Sequence, residues 1–259
     1  SQDRFRTSVQ KKNNLLKMKL SGEIPEENRS GAFLAKKRTL YQVLNQIQKA
    51  REDKTISGLI LRIDNLAIGW AKVQELRDAL YDFKSSGKKI YAFLETGGNK
   101  EYYLASLADR IIMLPTGDLN FTGLAAEVTF YKKTLDKLGI AADLEHIGDY
   151  KNASDLLTKE SMSEAHREVV YSVLDDIFNQ LLKDIAQARN LTIEEVKAKI
   201  DQGPYTALEA KKTGLVDELA FYDEVKEIAE EKENKNFLTL SENLYSKQTD
   251  WRYSWFIPP

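Results

Sequence analysis

The spacing of apolar residues switches between two periods along this chain. Residues 15–20 form a short run of apolar residues alternating with lysines, include Met18 and end at Ser21-Gly22, which predicts a strand. The apolar stretches 58–63 and 89–94 predict two further strands, and 111–114 a fourth that Pro115 halts. Between them the period lengthens. Leu40, Val43, Leu44, Ile47 and Ala50 lie on one face of a helix over 39–51, with Thr39 as its cap. Val73, Leu76, Leu80 and Phe83 repeat the pattern over 70–83, and Ser85-Ser86-Gly87 stops it. A short helix is expected at 102–108 and another at 128–138, closed by Gly139, followed by a strand over 141–147. Residues 23–37 are polar, with Pro25 and Gly31, and read as a mobile loop. Short strands alternating with amphipathic helices imply an α/β fold with right-handed crossovers and a mostly parallel sheet.

The carboxy-terminal half reads differently. Ser163 starts a long helix whose apolar stripe runs from Val169 to Ile185, a surface for the core or for a subunit contact. Thr192 with Glu195, and Thr206 with Glu209, each match a capping box, in which the two side chains satisfy free amides at a helix start. Gly214 ends the second of these helices, 215–217 reads as a short strand, and 222–233 as a charged final helix. Residues 241–259 carry Trp251, Tyr253, Trp255 and Phe256 without a clear period and end in Pro258-Pro259, the pattern of a linker or an arm that docks aromatics on a neighbour. The division expected is a flexible segment 1–14, one domain over 15–240, and the arm 241–259.

Composition narrows the chemistry. A chain of 259 residues with 42% apolar and 30% charged residues describes a soluble globular protein. The net charge of −2 and scattered Lys-Lys pairs argue against nucleic acid as a partner. Without cysteine there is no disulfide, thiolate metal site or cysteine nucleophile. Two histidines, His146 and His166, leave little for a metal site or a histidine-based triad, so neither metal nor cofactor is expected. No apolar run reaches the roughly 18–20 residues that span a bilayer, and residues 1–14 lack the apolar segment of a signal peptide. The chain could still have been cut from something anchored.

Lys151 is the leading chemical candidate. It follows Gly148-Asp149-Tyr150 at the end of the expected strand and precedes the polar start of a helix, Asn152-Ala153-Ser154. The alternative is a solvated surface lysine. A lysine shielded from water loses part of its preference for the charged form and can act as a general base. A Ser/Lys dyad also needs a hydroxyl and amides for the oxyanion. Gly69 is the flexible position in the turn 64–69, and Gly97-Gly98 precede a helix whose amides could bind an anion or simply make a tight turn. Ser106, Ser154 and Thr122 are the hydroxyls to test, although Ser106 and Ser154 fit caps or solvent-facing positions better.

Several segments in order carry a resemblance. They are Gly87-Lys88-Lys89-Ile90-Tyr91, then Glu101-Tyr102-Tyr103-Leu104-Ala105-Ser106-Leu107-Ala108-Asp109-Arg110-Ile111, then Gly148-Asp149-Tyr150-Lys151-Asn152-Ala153, then Tyr205-Thr206-Ala207-Leu208-Glu209-Ala210 with Gly214-Leu215-Val216-Asp217. Together they resemble the signal peptide peptidase A (protease IV) family, from about residue 15 to about residue 233. The resemblance implies a ClpP/crotonase-like superhelix of ββα units and a Ser/Lys serine peptidase. It is strongest to the amino-terminal, lysine-bearing half of the long two-domain form. It makes Lys151 the base and places Asn99, 52 residues earlier, where short forms carry the serine of a Ser-Gly-Gly-Tyr motif. The family's Asn-Ser-Pro-Gly-Gly oxyanion turn is replaced by Asp64–Gly69, so Gly69, Gly97 and Gly98 are the remaining oxyanion or substrate-binding candidates. The partners implied are a homologous serine-bearing domain, apolar peptide substrates such as cleaved signal peptides, and further copies in a homo-oligomer. The full-length protein would sit at a bacterial inner membrane or a plastid membrane, this chain itself being soluble. The alternative is a non-catalytic scaffold or peptide-binding module of the same fold. A crotonase-like acyl-CoA enzyme, with Asp64 and Glu95 as carboxylates, is a third reading.

Overall fold

The computed structural model describes residues 13–27, 37–144 and 150–246. The chain divides into two compact units, Ser1–Thr122 with Ile185–Pro259, and Gly123–Asp184.

The first unit is built on strands β1 (Asn14–Gly22), β2 (Ile56–Leu66) and β3 (Lys89–Leu94), all parallel. Their crossovers are the helices α1 (Leu40–Glu52) and α2 (Trp70–Ser85). Thr39 caps α1 through a capping box with Gln42, and Lys49 and Arg51 complement the helix dipole in its last turn. Two strands of this sheet are each followed by a short strand of a second sheet. After β3 comes β4 (Gly97–Gly98), then helix α3 (Asn99–Ala105); after β5 (Arg110–Met113) comes β6 (Asp118–Asn120). The main sheet has the order β8-β5-β3-β2-β1-β9, where β8 is Glu218–Leu219 and β9 is Leu238–Ser241; the small sheet is β4-β6-β7, with β7 at Tyr205–Thr206. This two-sheet repeat of strand, strand and helix is the ClpP/crotonase-like superhelix. Adjacent residues Leu15 and Leu16, and Ile60 and Leu61, are all buried, so both faces of the main sheet are covered, as parallel sheets require.

Several boundaries differ from the sequence expectations. Helix α3 starts at Asn99 and not at 102, because Glu101 accepts the Gly98 amide and begins the helix earlier. Residues 215–217 are not a strand. The Leu215 and Val216 amides turn back to Ala210 O at the end of helix Ala207–Lys212, and ladder pairing starts only at Asp217, whose amide reaches Ile111 O. Beyond residue 240 the packed body continues. β9 pairs with β1, residues 242–246 are helical, and Tyr245 is buried with its hydroxyl 3.3 Å from Asp53 Oδ2. Trp251, Tyr253, Trp255 and Phe256 lie outside the described residues, as does most of the segment 1–14, whose last residue Asn14 opens β1.

In the Gly123–Asp184 unit the expected helix 128–138 shrinks to Lys132–Lys137, and residues 141–144 form no strand; 145–147 are outside the described residues. The physical reason lies in burial. Leu138 is 67% exposed and Ile140 51%, so the apolar pattern there has nothing to pack against within the unit. The long helix Glu164–Arg189 forms as expected, with Ser163 Oγ accepting the His166 amide. Its stripe is covered only from Leu181 onward; Val173 is 54% exposed.

Gly117 marks a close approach that shapes the turn region of β3. A Cβ there would stand 2.0 Å from Glu95 O. Gly117→Ala should therefore destabilise the protein by about 1–3 kcal/mol, read as a lower midpoint in denaturant unfolding with the β3–β4 turn displaced.

Candidate functional site

The first unit gathers four of the expected positions around two turns. Gly69 is the exposed N-cap of α2 in extended conformation (φ −72°, ψ 160°), with no side-chain cap. Gly97 and Gly98 pair with Leu119 and Asn120, and Asn99 is the first residue of α3. Asn99 Oδ1 accepts the Thr122 amide at 3.2 Å.

What joins the turns is a pair of residues that the sequence reading passed over. Glu101, 8% exposed, accepts the Leu66 amide on Oε1 at 2.6 Å and the Gly98 amide on Oε2 at 2.9 Å. Lys100 donates to Ile68 O at 2.7 Å, with its ammonium 5.9 Å from the Trp70 ring. The carboxylate thus occupies two amides at the ends of β2 and β4, and the Gly98 amide is spent on this chain's own anion. The signal was available: a glutamate three residues after Gly98 is the back-bonding member of a capping box, hidden because glycine contributes no side chain to it.

The other candidates are also accounted for. Ser106 is fully buried, donates to Tyr103 O at 2.8 Å and accepts from Arg77 Nη1 at 3.0 Å. Arg77 also donates to Tyr103 O and stacks over the Tyr103 ring. Asp64 pairs with Lys19 at 3.3 Å and Glu95 with Arg62, so neither is an unengaged carboxylate.

The Gly123–Asp184 unit carries Lys151. The residue is exposed, which differs from the desolvated strand end expected, because the strand that would have buried it is missing over 141–144. It precedes a single 3₁₀ turn, Asn152–Ser154, which leads into the helix Asp155–Thr158. Neighbouring Tyr150 donates to Glu168 Oε2 at 3.1 Å. Gly148, Asp149 and His146 lie outside the described residues. Asp155 is 1% exposed and accepts on Oδ2 from Lys159 Nζ at 2.9 Å and from Ser163 Oγ at 3.2 Å. Burial pushes its carboxyl up, but Lys159, Ser163 and His166 together outweigh that and hold it below the usual carboxylate range. Among the described residues no group of acidic residues and histidines could hold a metal, and no helix is long and apolar enough to cross a membrane.

Residues 82–236 match Peptidase family S49. The chain is 32% identical over 247 residues to "Serine protease SPPA, chloroplastic" of Arabidopsis thaliana, covering 93% of this chain and 36% of that protein. It is 29% identical over 225 residues to "Protease 4" of Salmonella typhi, covering 82% of this chain and 36% of that protein. Among solved structures, a membrane-bound stomatin-specific protease aligns over 83% of this chain and 84% of that one, at 13% identity and a TM-score of 0.48. The chain belongs to Peptidase family S49, within the signal peptide peptidase A group. It spans about a third of the length of the two relatives just described.

Two outcomes are expected. Glu101→Ala strands the buried Leu66 amide and the half-buried Gly98 amide and should cost about 1–3 kcal/mol or more in all, seen in denaturant unfolding. Asp155 has a folded pKa below its unfolded one, so its contribution is present above about pH 4 and is lost as pH falls through the folded value. Unfolding curves collected from pH 6 downward should show that loss in the native chain and a flatter dependence in Asp155→Asn.

Proposed function

We propose that this chain is the lysine-contributing half of a Ser/Lys-dyad serine peptidase, with Lys151 as general base and the nucleophile supplied by a homologous serine-bearing domain. The observation that carries the reading is Asn99. It stands at the position matching the family's serine, it cannot be the nucleophile of this mechanism, and its side chain is engaged with the Thr122 amide. The glutamate that fills the Gly98 amide supports the same reading, because an occupied amide holds no oxyanion. Lys151, by contrast, is exposed and available to a partner surface. Covering an amine removes water from it, which favours the neutral, basic form.

The substrates proposed are cleaved signal peptides and other apolar unfolded segments, in line with relatives named as serine protease SPPA and Protease 4. Exposed Leu138, Ile140, Tyr150 and Val173 in the Gly123–Asp184 unit offer apolar surface for such peptides, for the serine-bearing domain or for further copies of the chain. Gly69, with its exposed backbone at the start of α2, is the remaining substrate-binding candidate in the first unit. The full-length protein is proposed to act at a bacterial inner membrane or a plastid membrane. The chemistry needs no cofactor. A second reading, a non-catalytic scaffold or peptide-binding module, draws on the same closure by Glu101.

The deciding experiment is a peptidase assay on an apolar signal-peptide substrate, with this chain alone and mixed with an S49 domain carrying Ser-Gly-Gly-Tyr. Cleavage is expected only in the mixture and should vanish with Lys151→Ala while association persists. Full cleavage with Lys151→Ala would remove the base assignment. An inactive mixture whose two domains demonstrably associate would favour the scaffold.

A further inference from the structure

Lys151 sits on a very short piece of regular structure. The turn Asn152–Ser154 and the four-residue helix Asp155–Thr158 have too few hydrogen bonds to hold an orientation by themselves. A base must be held in place relative to its nucleophile, so something else has to fix this turn.

The side chain of Asp155 does so. Its backbone amide closes the turn on Asn152 O, and its carboxylate, buried at the turn's far end, is tied in two directions. Lys159 Nζ approaches Oδ2 from the next turn of chain at 2.9 Å. Ser163 Oγ donates to the same oxygen at 3.2 Å while accepting the His166 amide, also at 3.2 Å. The turn bearing Lys151 is thereby fastened to the first turn of the 26-residue helix Glu164–Arg189, a far stiffer element. His166 Nδ1 lies 4.0 Å from Oδ2, and its ring stands 6.0 Å from Phe130. Other charged groups that pair within this unit are Lys132 with Asp136 at 2.7 Å, Glu160 with Lys133 at 3.1 Å, and Glu168, which accepts from Tyr150.

This is a costly way to pack a short helix. Asp155 Oδ1, Asn152 Nδ2 and His166 Nδ1 are buried without a hydrogen-bond partner among the described residues. A buried, ion-paired acid adds little stability that an apolar residue of similar size would not. What it adds is direction, since hydrogen bonds fix angles that apolar contacts leave loose.

We propose that Asp155 is the positioning residue for Lys151, and that Ser163 holds Asp155 to the long helix. The proposal rests on the reading of Lys151 as the base. It is tested in the natural full-length protein by measuring kcat and KM against pH for the native sequence, Asp155→Asn, Ser163→Ala and Lys151→Ala. With a loosened turn the lysine rehydrates. Asp155→Asn should then lower kcat about tenfold or more with KM nearly unchanged. The rising limb of kcat/KM should move to higher pH by about half a unit or more. Ser163→Ala, which changes no charge, should move the limb the same way by less. An electrostatic role acting through space has the opposite sign, because deleting a negative charge favours the neutral amine and moves the limb to lower pH. A limb that stays in place or moves to lower pH in both variants overturns the positioning role. If Asp155→Asn does not fold, Ser163→Ala decides alone. Activity retained by Lys151→Ala sinks the base reading and this proposal with it, whereas an inactive Lys151→Ala beside an unmoved limb sinks the positioning role only.

Discussion

Two loop segments at the carboxyl ends of parallel strands are held together here by one buried carboxylate. Strands of a parallel sheet deliver their chain to the same edge, but their ladder hydrogen bonds end there and leave the following turns unbound. Glu101 supplies the missing bonds. It accepts the Leu66 amide at the end of β2 and the Gly98 amide before α3 with the two oxygens of one group. The start of α3, the approach of Lys100 to Ile68 O, and the place of Asn99 beside the Thr122 amide all follow from where that carboxylate sits. Gly117 lets the chain lie against Glu95 O in the turn that follows β3, without a side chain between.

Several polar groups of the first unit are paired in the same manner. Arg189 meets Asp217 at 2.7 Å, Asp217 also accepts the Ile111 amide at 2.7 Å, and Tyr102 donates to Leu215 O at 3.1 Å. These groups are buried or half-buried with their partners present, and they define a scaffold. The Gly123–Asp184 unit is arranged otherwise. Beside the long helix it has only short ones, with apolar side chains facing solvent and a buried polar cluster with atoms still unpaired. Low local stability is where moving and binding parts of proteins are drawn from.

Where the sequence could be read, the signal was local. Thr39 as a cap, and the pairs Thr192 with Glu195 and Thr206 with Glu209 three residues apart, all start helices in the structure. The central strands were legible because burial on both faces leaves a continuous apolar run. Where the reading slipped, the deciding contact lay elsewhere in the chain or was made by backbone. The pattern over 128–144 has the right apolar spacing but no surface within its unit to cover it. Residues 215–217 look like a strand, yet two of their amides are consumed by Ala210 O. The surroundings of Lys151 were invisible for the same reason: Ser163 reaches Asp155 across 8 positions, a spacing no periodicity announces.

The main sheet ends in β8, two residues long, and β9, four residues long. Such short borders leave few free backbone groups in register, and an extended chain laid against either would gain only a few bonds before its neighbour ran out. The sheet's borders are therefore poor templates for a further strand, which protects it from edge-to-edge association.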